Sequence, residues 1–214
     1  MIGEIDRLAA AAATELTLRS RGNRWTHLPL CVVEAVFSIN ARYGGVVRVC
    51  RAHADHFSLI DPLLPAATAD EVIGTGREVP VDTLADVGHR LGAERLADEV
   101  FRSRGRTSPR GGILKAEAAI RCAQVLVGVG VHRIGDVAGL LADPGRLVDT
   151  ERRLAEVPGP GAGARLSYLW MLAGDDHRVK AVGGGPRDMA PRVGPGVTDS
   201  RARVTCANPN CLWK

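Results

Sequence analysis

Residues 154–174 read LAEVPGPGAGARLSYLWMLAG, and the fold turns on how this stretch is parsed. A helix ends at Pro158-Gly159, Gly161 follows two residues later, and an apolar-periodic helix restarts at about Ala164. Two helices therefore meet across a very short glycine hairpin. Gly159, Gly161 and Gly163 carry no side chains to shield the backbone N–H groups that precede the second helix. Those orphan donors and the positive end of the helix dipole both favour an anion, so a phosphate oxygen fits there. A turn that uses glycine only for its backbone angles is the other reading of the same letters.

Working outward, the flanking sequence predicts more helices. Residues 3–20 combine Ala, Leu and Glu without Pro or interior Gly, a strong helix propensity. Residues 27–54 are the most apolar of the chain and predict a nearly all-round apolar helix at the centre of the core, bent or broken at Gly44-Gly45. Within it, Ser38 and Tyr43 read as core polar groups bonded to backbone. Residues 82–101 form an amphipathic pattern, and a Gly- and Arg-rich loop follows with Arg102, Arg104, Arg106 and Arg110. Arginines on such a loop suit phosphate contacts, and equally a solvated surface. Helical patterning resumes over 113–129, then over 136–141 with Asp136 as N-cap, and over 149–157. Tyr168 and Trp170 fall on the helix after the hairpin, where core packing is the simplest role. No stretch sustains a two-residue alternation, so the expected fold class is all-α.

Composition narrows the function classes. The 214 residues are 45% hydrophobic and 24% charged, enough for one globular domain with its own core. No run of 18 apolar residues and no leader pattern occur, so a soluble, cytoplasmic protein without a membrane partner is expected. The net charge of +4 divides unevenly, with +1 in residues 1–180 and +3 in residues 181–214, so basicity alone says little about DNA. Cys31, Cys50 and Cys122 sit singly in apolar stretches and read as free, buried thiols. Cys206 and Cys211 do not complete a zinc or iron–sulfur pattern, and His27, His53 and His56 lack a ligand spacing, so no metal and no cofactor is expected.

The hairpin VPGPGAGARLSYLWMLAG resembles that of the helix-hairpin-helix base-excision DNA glycosylase superfamily, in particular an uncharacterised bacterial branch of it. LPLCVVEAVFSINARY, RGRTSPRGGILKAEA and the HRVK after the hairpin helix carry the likeness across roughly residues 27–180. The resemblance implies a helical, two-lobed domain over residues 1–180, with its hairpin at 154–174. It implies double-stranded DNA as the partner, with Gly159, Gly161 and Gly163 on a phosphate beside an extracted nucleotide.

The same resemblance exposes a gap. Glycosidic cleavage needs a carboxylate to orient water and stabilise the charge developing on the sugar. In the similar branch that aspartate follows Val-Lys-Pro, whereas here the chain runs Val179-Lys180-Ala181-Val182, with Val182 in its place. Strand-cutting members use a hairpin lysine, whose position is occupied by Gly163. Asp175 and Asp176 are the nearby acids, and a solvated turn is their simpler role. From Ala181 onward the chain holds five Gly and four Pro in 34 residues without apolar periodicity, which predicts an irregular, disordered tail over 181–214. This abrupt change suggests truncation or a shifted reading frame at about residue 181, and with it exposed apolar surface on the 27–54 segment. The expectation is a base-excision-repair-like protein that binds DNA weakly and without sequence preference, with impaired catalysis. A non-enzymatic DNA- or protein-binding module, or a degenerate product, is the alternative.

Overall fold

In the computed structural model, residues 22–159 and 162–176 are described. The protein is mostly helical there, with one small antiparallel sheet. In chain order the elements are β1 (Asn23–Trp25), α1 (Leu28–Phe37), α2 (Tyr43–His56), β2 (Leu63–Pro65), α3 (Ala66–Ala69), α4 (Asp82–Arg95), a π-helical turn (Leu96–Val100), α5 (Lys115–Gly128), α6 (Ile134–Leu141), α7 (Pro144–Ala155) and α8 (Ala162–Leu172). The sheet pairs Asn23 with Pro65 and Trp25 with Leu63. Three-residue strands are too short to show the alternation that marks a strand in sequence. The helix expected over residues 3–20 and the tail expected over 181–214 lie outside the described residues.

All ten residues of α1 are buried, and α2, α5 and α8 pack around it. An apolar helix of this kind has no face to give to water, so the centre of the core is where it is stable. The exposed apolar surface expected on 27–54 is not observed: the large exposed hydrophobics among the described residues are Ile60 and Val148. The break in this segment also falls earlier than the glycine pair. It comes at Ser38–Arg42, where Asn40 takes a left-handed conformation with φ 47°, while Gly44 and Gly45 lie in the first turn of α2. Asn tolerates that conformation better than most residues. Ser38 Oγ donates to the Ala35 carbonyl, and Lys115 Nζ donates to the carbonyls of Phe37 and Ile39 at 3.0 and 2.5 Å. The end of α1 is thus capped by a residue more than seventy positions away, which local propensity cannot reveal.

Three other boundaries differ from expectation for local reasons. The segment 82–101 is not one smooth helix, because Gly92 (φ 75°, ψ 165°) kinks α4 and a π-helical turn follows. Helix α6 begins at Ile134, and Asp136 is not its N-cap. Its carboxylate instead accepts from the N–H groups of His132 and Arg133, both at 2.8 Å. The buried Glu78 carboxylate adds the Ile134 N–H. Helix α7 starts at Pro144, five residues earlier than expected, because the Asp143 side chain caps it by accepting from Arg146 N at 3.1 Å.

The loop between the π-helical turn and α5 is closed on itself. Thr107 N donates to Ile113 O at 2.9 Å and Lys115 N to Gly105 O at 2.8 Å, on either side of an Arg106–Leu114 bridge. Gly112 makes this closure fit, since a Cβ there would stand 2.2 Å from Ser108 N and 2.5 Å from Ser108 O. Backbone cannot step aside as a flexible side chain does. Gly112→Ala is therefore expected to cost about 1–3 kcal/mol, read as a lower midpoint in chemical denaturation with an unchanged slope. An unchanged midpoint would show that the loop gives way freely.

Candidate nucleic-acid interface

Helix α7 ends at Ala155 and helix α8 begins at Ala162, joined by the short connection expected from the glycine-rich stretch, part of which lies outside the described residues. Of its three glycines, Gly161 lies outside the described residues. Gly163 is exposed, with nothing within 4 Å of a Cβ placed on it. Gly159 is crowded: a Cβ there would meet Arg165 Nη1 at 3.1 Å, Thr107 Cβ at 3.4 Å and Ile39 Cδ1 at 3.6 Å. Three segments far apart in sequence therefore converge at the hairpin: the α1–α2 turn, the arginine-rich loop and the first turn of α8.

Arg165 organises this corner. It is 5% exposed, and its Nη2 donates to the carbonyls of Leu154 and Val157 at 2.8 and 3.2 Å, so α8 caps the open C-terminal end of α7. Among the described residues its Nε and Nη1 have no hydrogen-bond partner, nor does Oγ1 of the fully buried Thr107. Buried donors left without partners are costly, and an anionic oxygen seated at the hairpin would offer them one. Neither Arg165 nor Thr107 was singled out from the sequence, because neither is unusual until the fold brings it to Gly159.

The arginines of the loop behave unequally. Arg104 is bound by two carboxylates, with Nη1 donating to Asp98 at 2.7 and 2.9 Å and Nη2 to Glu94. Its charge is already answered within the protein. Arg106 Nη1 donates to the Gly112 carbonyl at 2.8 Å and helps close the loop. Arg110 is exposed at the loop tip, and Arg102 turns the other way to line a groove.

That groove, of about 800 Å³, lies between α2 and residues 99–105. Arg42, Arg48, Arg51, Arg102 and Lys115 line it, together with Asp55, Glu99, His56, Phe37 and Phe101. Glu99 is paired with Arg95, at 2.8 Å from its Nε. Among the described residues, no ion pair is formed by Arg42, Arg48, Arg51 or Arg102. Burial lowers the Lys115 pKa, and its ammonium is spent on the two carbonyls at the end of α1, as a cap rather than a nucleophile.

Asp175 is half-buried at the end of α8, where its N–H donates to Trp170 O at 2.9 Å, and Asp176 is exposed. Val182 lies outside the described residues. Ring packing accounts for His53, which stacks on Phe57 and Phe101 at 4.7 and 5.7 Å between centroids. His27 accepts from Val79 N at Nδ1 and so donates from Nε2 to Ile60 O. Among the described residues no group of three or more His, Cys, Asp or Glu could hold a metal. Cys31, Cys50 and Cys122 are buried free thiols, and burial pushes the Cys122 thiol up to about 11. Tyr168 and Trp170 are fully buried, as core residues. No helix among the described residues is long and apolar enough to cross a membrane.

Comparison with known proteins places this geometry in a family. Residues 4–182 match DUF8548, described as a domain of unknown function, and the match covers most of the chain. Its end lies beside Ala181, where the sequence turns rich in Gly and Pro. No curated protein and no solved structure matches the chain.

Proposed function

The chain belongs to the DUF8548 family, and we propose that it is a DNA-binding protein of helix-hairpin-helix, glycosylase-like type, holding duplex DNA by its backbone and lacking base-excision chemistry. The observation that carries this reading is the hairpin corner. Gly159 packs there against a 5% exposed arginine and a buried threonine, whose two guanidinium nitrogens and hydroxyl have no partner among the described residues. A phosphate oxygen at the start of α8 would meet the helix dipole, the glycine-flanked N–H groups and these side-chain donors together. Such contacts read no base edge, so binding would be non-specific in sequence and steeply dependent on salt.

The excision chemistry is the part held to be lost. A glycosylase needs a positioned carboxylate, and the position implied by resemblance is Val182. The test is incubation of the full chain with duplexes carrying alkylated, deaminated, oxidised or mismatched bases, followed by alkaline cleavage of any abasic site. Binding without strand breaks is expected. Breaks made by the wild-type chain would mean that this part of the reading is wrong, and their survival in Asp175→Asn and Asp176→Asn would place the working carboxylate elsewhere.

A further inference from the structure

We propose that the arginine-lined groove along α2 is a second binding track for a phosphodiester backbone, continuing the DNA footprint away from the hairpin. The inference rests on the DNA-binding reading but on different residues. The groove begins at Phe37, Ala41 and Arg42, on the same α1–α2 turn whose Ile39 packs against Gly159. It then follows α2 through Arg48 and Arg51 to Asp55 and His56. A strand held at the hairpin and leaving past Ile39 would enter it directly.

Charge and spacing agree with such an occupant. The lining side chains include four arginines against two carboxylates, with Lys115 held by the end of α1 and Glu99 already neutralised by Arg95. Arg48 and Arg51 are three positions apart and share a helix face. From Arg42 to Arg51 the helix advances about 13–14 Å at ~1.5 Å per residue, long enough for the arginines to face successive phosphates of one strand. Forming no ion pairs among the described residues, these guanidinium groups need not break any internal pairing to bind. Arg104, which the sequence alone would favour, is tied to Glu94 and Asp98 and falls outside the track.

The experiment titrates a fluorescein-labelled 20-base-pair duplex with the full chain at several salt concentrations. It compares wild type with Arg48→Ala/Arg51→Ala, Asp55→Asn and, as a control on α7, Arg152→Ala/Arg153→Ala. All the altered side chains are exposed, and circular dichroism checks that each variant is folded. The groove double variant is expected to flatten the log–log salt slope by about 2, close to 0.9 per lost phosphate contact. Removing the Asp55 charge is expected to tighten binding several-fold, and the α7 control to leave the slope unchanged. A wild-type slope in Arg48→Ala/Arg51→Ala, or an equal loss in the control, overturns the groove while leaving the hairpin reading standing. Absence of duplex binding by the wild-type chain overturns both.

Discussion

Glu34→Leu is expected to lower the melting temperature by about 6–12 °C, corresponding to about 3 kcal/mol in a chain of this size. Glu34 lies in α1, 3% exposed, at the centre of the core. Its Oε2 accepts from Trp25 Nε1 in β1 and its Oε1 from the Tyr168 hydroxyl in α8, so one carboxylate ties three elements together. Burial, and then the neighbouring Glu34, push the Tyr168 phenol far above its usual range, which keeps it a donor. Leucine fills similar space but leaves an indole N–H and a hydroxyl in the core deprived of this acceptor, at about 1–3 kcal/mol each. Glu34→Gln separates charge from hydrogen bonding. Its amide oxygen can accept from Trp25 while its NH2 donates to the Tyr168 oxygen, so most of the stability should remain. Equal losses in both variants would show that the negative charge itself is required.

Acid is expected to destabilise the fold through two histidines. Burial, reinforced by His56 and His27, holds His53 down at about 3, and burial also lowers His27 from its ordinary 6.5. The unfolded chain therefore takes up protons below about pH 6.5 that the folded chain refuses. Stability is fully present above that pH and is lost as pH falls, through a window that for His53 runs down to about 3. A proton that the folded chain refuses costs about 1.4 kcal/mol per pH unit, so His53 makes the fold progressively less stable as the pH falls below 6.5. Burial raises Glu78, which works in the opposite sense, so the informative quantity is the difference between variants. His53→Phe preserves the stack with Phe57 and Phe101 and removes a buried Nδ1 that has no partner. Its denaturation midpoint should fall less steeply between pH 6.5 and 4.5 than that of wild type. Parallel curves would exclude His53 as a source of acid sensitivity.

What was legible in the sequence is what local rules control. The break between α7 and α8 was legible because three glycines and two prolines interrupt otherwise helical patterning, and the central place of α1 followed from its unbroken apolar run. What was not legible depends on partners distant in sequence. The end of α1 is set by Lys115, the pairing of Arg104 by Glu94 and Asp98, and the hairpin corner by Ile39, Thr107 and Arg165. The groove left only a faint trace, since Arg48 and Arg51 stand three apart within the apolar segment 27–54. It becomes a groove when residues 99–105 fold back beside α2. The β1–β2 pairing left no trace, at three residues a strand.

The most direct test of the central claim is the affinity of the full chain for an undamaged duplex of arbitrary sequence, measured by fluorescence anisotropy from low to moderate salt. Saturable binding is expected, similar for unrelated sequences, with log affinity falling linearly as log salt concentration rises. Failure to bind at low salt, or an affinity indifferent to salt, would contradict it.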